Sequence, residues 1–285
     1  MRVFVADVFT TTMFGGNQAG VVLLDEGEAF PEEAFMRALA GELKHSETAY
    51  VRREGEKRLR IRYFTPVVEV DLCGHATIGA FSLMRKLGLV GEGEYELVTA
   101  AGEQRVLVEK DMVYLTVSPV RILRELTDDE TGELLSAYGL GSDDRCPGLP
   151  AALVSAGLTD IQLPVRDHAA LLSAVQDEQA VAALSRRYDA VGVHMFCPGE
   201  GDVSAWCSNF APLWGIPEEC ATGTANAGLT HYLVSKGVFS PDGENRILQG
   251  EHMQRCCEIR TRAVGENSVI VGGSAVMAME CLLRF

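Results

Sequence analysis

Two short stretches constrain this chain more than any others. Asp71-Leu72-Cys73-Gly74-His75-Ala76-Thr77 follows an apolar run, Val67 to Val70, that reads as a strand, and a helical pattern begins where the run breaks. Glu219-Cys220-Ala221-Thr222-Gly223-Thr224-Ala225 repeats that logic in the second half, with an acidic residue, a thiol, a glycine and a small hydroxylic residue where a helix starts. A chain that uses such a strand-to-helix turn twice points to two units of similar construction. The two turns are expected to face one another across one site.

The rest of the pattern fits mixed units. Val3 and Val5 pair with Val21 to Leu24 as a hairpin around a glycine-containing turn, Thr10 to Asn17. Pro31 suits a first helical position, with Phe35, Met36, Leu39 and Leu43 on one face. Strict alternation over Arg58 to Tyr63 predicts a strand with Leu59, Ile61 and Tyr63 on one side and three arginines on the other. Ile78, Phe81 and Met84 keep helical spacing up to Gly88, and strands follow at 95–99, 105–109 and 113–117. In the second half, helices are predicted at 128–137, 168–174 and 179–187, and strands at 159–163 and 190–196. The second motif opens a helix carrying Leu229, Tyr232 and Leu233 and ending at Gly237. Strands near 254–261, 268–271 and 274–283 close the chain. Short strands alternating with single long helices, and no low-complexity linker, indicate an α+β fold rather than a doubly wound parallel sheet. The domain boundaries are placed at 1–118, joined by a returning strand at 274–285, and 119–273.

Length and charge narrow the function. At 285 residues there is room for two domains. The net charge of −15 argues against a nucleic-acid partner, which requires clustered Lys and Arg. A small anionic substrate remains compatible, because backbone N–H groups at helix N-termini bind carboxylates whatever the sign of the whole surface. No apolar stretch reads as a membrane span. The first ten residues read as a strand rather than a secretion signal, so a cytoplasmic address is the default. The eight cysteines lack zinc-finger or CxxC spacing, and the histidines show no HxH or HxxxH pairing, so no metal site is expected.

Several residues stand out chemically, each with a plainer reading beside it. Glu47 follows a helix end and precedes an apolar strand, where burial can bring a carboxylate toward base strength; otherwise it is a solvated loop residue. Cys73 and Cys220 lie just ahead of helix N-termini, which favour thiolates. Two thiols on opposite faces of a carbon could invert its configuration, or both are small buried apolar residues. His75 is either a proton relay or a structural histidine. Glu219 is either a proton-transfer partner or a favourable anion in a first helical turn. Gly74, Gly223 and Thr224 are candidates for an anion cradle. Trp206 and Trp214 read as core or lid.

Taken in order, these residues resemble the phenazine-biosynthesis PhzF-like family. The resemblance rests on Phe9 and Phe14-Gly15-Gly16-Asn17, Ser46-Glu47-Thr48-Ala49, Phe64-Thr65-Pro66, Val68 to Thr77, Phe210-Ala211-Pro212, and Gly215 to Glu218 running into Ala221-Thr222-Gly223. It implies the diaminopimelate-epimerase-like fold: two similar domains, each a mixed, mostly antiparallel sheet wrapped around a central helix, with a cleft between them. It also implies a general acid/base at Glu47, assistance from His75, and substrate contacts from Asn17, Ser46, Gly74, Gly223 and Thr224. The chain departs from the family pattern at Glu219-Cys220, where Asp-Pro is usual, at Thr224 for Ser, and at Gln18 for Pro. The departure at Cys220 makes Cys73 and Cys220 similar to the two-thiol pair of diaminopimelate epimerase and proline racemase. The expected function is a cofactor-independent isomerase that moves a proton on a small carboxylate-bearing substrate, an amino acid or a cyclic hydroxy amino acid. The alternatives are a two-cysteine racemase or epimerase using Cys73 and Cys220, and a metabolite-binding protein without turnover. The resemblance further implies a homodimer; no nucleic-acid or membrane partner is expected.

Overall fold

Alternating segments become strands and the two glycine-led segments become buried helices in a computed structural model, which describes residues 1–283. The chain divides into a first unit, Met1–Thr116 with the segment from Gly272 onward, and a second unit, Val117–Val271. The first contains β1 (Arg2–Val8), β2 (Asn17–Leu23), α1 (Glu33–Leu43), β3 (Thr48–Arg53), β4 (Arg58–Phe64), β5 (Glu69–Val70), α2 (Gly74–Lys86), β6 (Gly93–Thr99), β7 (Gly102–Glu109) and β8 (Met112–Val117). The second contains β9 (Arg121–Glu125), α3 (Asp128–Ser136), β10 (Ala152–Ala156), β11 (Leu158–Pro164), α4 (His168–Ser173), α5 (Glu178–Arg187), β12 (Gly192–Pro198), β13 (Ala205–Ala211), β14 (Ile216–Glu219), α6 (Gly223–Ser235), β15 (Glu244–Gln249), β16 (Cys257–Ala263) and β17 (Val269–Gly273). The last strand, β18 (Ala275–Cys281), returns to the first unit and pairs antiparallel with β1. The fold is α+β.

Each unit repeats one order of pairings. In the first, β1 and β2 are antiparallel, β2 and β3 parallel, β3 and β4 antiparallel, β4 and β6 parallel, and β6 and β7 antiparallel. In the second, β10 and β11 are antiparallel, β11 and β12 parallel, β12 and β13 antiparallel, β13 and β15 parallel, and β15 and β16 antiparallel. A parallel pair needs a crossover, and helices supply it. The β2 to β3 connection carries α1 and the β4 to β6 connection carries α2. In the second unit α4 and α5 join β11 to β12, and α6 joins β13 to β15.

The two long crossover helices are apolar around most of their circumference, which is the mark of a buried helix. α2 buries every residue from Ala76 to Met84 except Ser82, and α6 buries every residue from Ala225 to Leu233 except His231. Small residues let strands approach. A Cβ on Gly79 would lie 2.9 Å from Val8 Cγ2, and one on Gly228 would lie 3.1 Å from Gln162 Nε2 and 3.3 Å from Val154 Cγ1. No helix among the described residues is long and apolar enough to cross a membrane.

The alternation over Arg58 to Tyr63 holds, with Leu59, Ile61 and Tyr63 buried and Arg60 and Arg62 paired to Glu54 and Glu69. Three readings need correction. Val67 and Val68 are exposed rather than part of a strand, because Thr65 Oγ1 accepts both of their N–H groups in a turn and only Glu69–Val70 pairs with β4. Pro31 lies outside α1, whose N-cap is Glu32. The strands β9, β10, β14 and β15 have no counterpart in the sequence reading. β9 is mostly exposed and charged, so it has no apolar period to read.

Candidate active site

In the first unit the local fold gathers a carboxylate, a thiol and an imidazole. α1 ends on Lys44 in the left-handed conformation, and the chain returns through Ser46, which is exposed, to β3. The Glu47 carbonyl accepts the Gly20 N–H, so the Glu47 backbone is fixed beside β2 while its side chain stays half-buried. Cys73 is the N-cap of α2 in extended conformation, and its carbonyl accepts both the Thr77 N–H and the Thr77 hydroxyl, the latter at 2.7 Å. That hydroxyl also lies 2.5 Å from the buried Tyr63 hydroxyl, tying the helix start to β4. The thiol of Cys73 lies 3.3 Å from His75 Nδ1, and His75 Nε2 lies 3.5 Å from Glu47 Oε2.

His75 sits between a thiol and a carboxylate and is itself buried. Burial pushes its pKa below the ordinary value of 6.5, while Glu47 and the Gln18 main chain pull upward. The imidazole is therefore neutral at pH 7. It can accept a proton from one neighbour and donate to the other, because a neutral ring has one nitrogen of each kind. Asn17, buried at the start of β2, and Gly74, exposed as the first residue of α2, belong to the same unit. A Cβ on Gly74 would meet nothing within 4 Å, so the first turn of α2 is open there.

The second helix start is built from different chemistry. Thr222, not Cys220, is the N-cap of α6, and the helix begins at Gly223. The Thr222 hydroxyl donates to Glu219 Oε2 at 2.5 Å. Gln249, at the end of β15, donates through Nε2 to the Glu219 carbonyl and to Thr222 Oγ1, and accepts through Oε1 from the Thr222 N–H and from Asn226 Nδ2. Asn226 Nδ2 also donates to the Thr222 carbonyl, as Thr77 does to the carbonyl of Cys73. Gly223 and Thr224 occupy the first helical turn, each half-buried.

The sequence places Cys220 just before a helix, whereas in the structure it stands three residues ahead of Gly223 and its thiol is hydrogen-bonded to Cys257. That bond holds Cys220 below the ordinary thiol value against burial and raises Cys257 correspondingly. The other predicted aromatics separate: Trp206 stacks on His168 with ring centroids 4.5 Å apart, and Trp214 is exposed.

Sequence reasoning missed several buried polar groups of the second unit. Burial first, and Glu219 second, push the carboxyl of Asp160 in β11 up to about 7. Burial pushes His194 in β12 down to about 4, although Asn209 Oδ1 lies 3.0 Å from its Nδ1. Each interrupts an otherwise apolar strand. That signal was available, because a polar residue at a buried strand position must find a partner or change its charge.

Comparison with known proteins agrees along the whole chain. A family profile described as phenazine biosynthesis-like protein, PhzC-PhzF, matches residues 6–281. An uncharacterized isomerase of Deinococcus radiodurans is 35% identical over 286 residues, covering 95% of this chain and 91% of its own length. The crystal structure of a PhzF-family phenazine biosynthesis protein from Bacillus anthracis superposes with a TM-score of 0.84 at 24% identity, covering 99% of each chain. A probable proline racemase from Agrobacterium radiobacter K84 shares the fold at a TM-score of 0.62 and 13% identity, over 99% of this chain and 92% of its own.

Proposed function

Because this chain belongs to the phenazine biosynthesis-like family and is an isomerase, we propose that it moves a proton on a small carboxylate-bearing substrate, with Glu47 as the acid/base, His75 as its partner and no cofactor. The observation that carries this reading is the contact series Cys73, His75, Glu47, at 3.3 Å and 3.5 Å. A carbon acid next to a carboxylate needs a base held at the carbon and a donor for the developing negative charge. Glu47 takes the proton. The neutral His75 ring stabilises the protonated carboxyl or exchanges a proton with it, and Cys73 orients the ring through Nδ1. The open first turn at Gly74 supplies backbone N–H groups to the substrate carboxylate.

The same base can return the proton to a different carbon, which isomerises, or to the same carbon, which exchanges it. A two-thiol inversion would use Cys220 as the second base. Its bond to Cys257, away from the helix cap, gives that reading less support.

The experiment is incubation of the protein in D₂O with a panel of L- and D-amino acids and cyclic hydroxy amino acids. Deuterium incorporation is followed by NMR and configuration by chiral separation. Enzyme-dependent incorporation without inversion is the expected result. Incorporation coupled to inversion would replace the single-base reading by the two-thiol one, and failure of every carboxylate-bearing substrate would remove both.

A further inference from the structure

We propose that Glu47, Cys73 and His75 also form a binding site for a soft divalent cation such as Zn²⁺, and that the ion acts there as an inhibitor. One oxygen, one sulfur and one ring nitrogen from these residues all lie within 4.8 Å of one another, and they are the one such group of three among the described residues. Tetrahedral zinc with ordinary bond lengths places its ligand atoms about 3.3 to 3.6 Å apart. With one ring nitrogen offered to the ion, the three donor atoms lie within 4.8 Å of one another, so side-chain adjustments of about 1 Å bring them to that spacing.

A second observation points to a ligand at the same place. His75 Nε2 is buried, has no hydrogen-bond partner and is directed at Glu47. The side chain of His75 is 9% exposed, so a lone pair there is costly to leave unused.

The donor set selects the metal class. A thiolate and an imidazole favour Zn²⁺, Co²⁺ and Cd²⁺ over Mg²⁺ and Ca²⁺, which take oxygen ligands. The N-terminus of α2 carries the positive end of the helix dipole and opposes any cation. Ionised Cys73 and Glu47 together cancel a divalent charge, so only an ion that displaces the thiol proton gains enough. Binding forms one metal–sulfur bond and releases the Cys73 proton to solvent, and affinity rises with pH in the range where the thiol is protonated. Three protein ligands leave one coordination position open.

Inhibition, unlike binding, rests on the function proposed above. The ion would occupy the lone pairs of Glu47 and His75 that proton transfer uses. Binding stands on the geometry alone and is measured without turnover.

The test is titration of the full chain with Zn²⁺ by calorimetry and with Co²⁺ by absorption, where a thiolate-to-cobalt charge-transfer band reports the sulfur. The expected result is one ion per chain with that band present, and no binding of Mg²⁺. Cys73→Ser and His75→Gln are each expected to weaken binding by more than about 100-fold, a larger loss than outer-shell changes cause. Cys256→Ser and Cys220→Ser should leave affinity within about twofold, since neither residue belongs to the donor set. Circular dichroism on each variant shows whether it is folded, and Glu47→Gln, which keeps size and shape, provides a further weakened form. Absence of the charge-transfer band in the unmodified protein overturns the proposal, as does binding that survives Cys73→Ser and disappears with Cys256→Ser. If binding follows this pattern but proton exchange is never found, the metal site stands and the catalytic reading falls.

Discussion

The starts of α2 and α6 occupy the same place in the same order of strands, yet they hold different chemistry. Each helix begins with a glycine after an extended N-cap, and in each a side chain four residues on donates to the cap carbonyl: Thr77 to Cys73, Asn226 to Thr222. At α2 the cap is a thiol in contact with an imidazole, itself next to a carboxylate. At α6 the cap is a hydroxyl bound to a carboxylate and clamped by Gln249. The backbone device is shared, and the side chains divide the tasks: the first start can exchange protons, whereas the second is held by hydrogen bonds. Matching the two stretches by their cysteines therefore misplaces them, since the residue that corresponds to Cys73 is Thr222.

That contrast can be broken by mutation, and the largest effect is expected at His75. His75→Gln is predicted to lower proton exchange by about 100-fold, within the range of general acid–base catalysis. The pH profile supplies the sign. Burial lowers the pKa of His75, so the ring is neutral through pH 7 and protonates only as the pH falls below its ordinary value of 6.5. The unmodified protein should lose activity on that acid side, and the variant should lack this limb. A variant that keeps the limb would assign it to another group.

A smaller effect, on stability, is expected in the second unit. Asp160 titrates near 7 when folded and near 3.8 when unfolded, so its contribution is full below pH 3.8 and is lost as pH rises through about 7. His194 runs the other way: its folded value is about 4 against 6.5, so its contribution is full above 6.5 and is lost as pH falls through about 4. The two oppose each other between about pH 4 and pH 6.5. Relative to the unmodified protein, Asp160→Asn should gain stability as pH rises across this window, by a few kcal/mol at most. Urea unfolding at several pH values measures it, and a difference that is constant with pH would contradict the assignment.

The smallest predicted difference concerns the paired glycines. Gly79→Ala drives a Cβ to 2.9 Å from Val8 Cγ2, the short side chain of a buried strand, and should cost about 1–3 kcal/mol. Gly228→Ala meets the end of Gln162 and the Val154 side chain at slightly longer range; both changes regain the same helix propensity, so the net cost at Gly228 should be the smaller and stay within about 1 kcal/mol. Thermal unfolding of the two variants compares the packing of the two central helices. Equal costs would mean that both helices are packed alike.

Much of this architecture was legible because particular segments carried strong periods. The alternation of Arg58 to Tyr63 gave a strand and its buried face, and the apolar spacing after Gly74 and Gly223 gave two helices. The run Val67 to Val70 misleads for the opposite reason: three valines in four consecutive residues suggest an apolar strand, while the Thr65 hydroxyl holds a turn that exposes Val67 and Val68. In the first unit the structure brings together Glu47, Cys73 and His75, which the two stretches Ser46 to Ala49 and Asp71 to Thr77 mark in the sequence. Gln249 was not legible, because its partners Glu219 and Thr222 lie about a strand and a helix away and nothing local marks a glutamine at the end of a strand as a clamp. Cys257 escaped for the same reason, being brought to Cys220 by pairing of β15 and β16.

The most direct measurement is the rate of solvent deuterium incorporation into a turned-over substrate by Glu47→Gln, set against the double variant Cys73→Ser/Cys220→Ser. Glu47→Gln is predicted to fall by about 10²- to 10⁴-fold, and the double thiol variant by no more than about tenfold, the cost of one lost hydrogen bond. The opposite ranking, with the thiol variant inactive and Glu47→Gln near normal, would contradict the account.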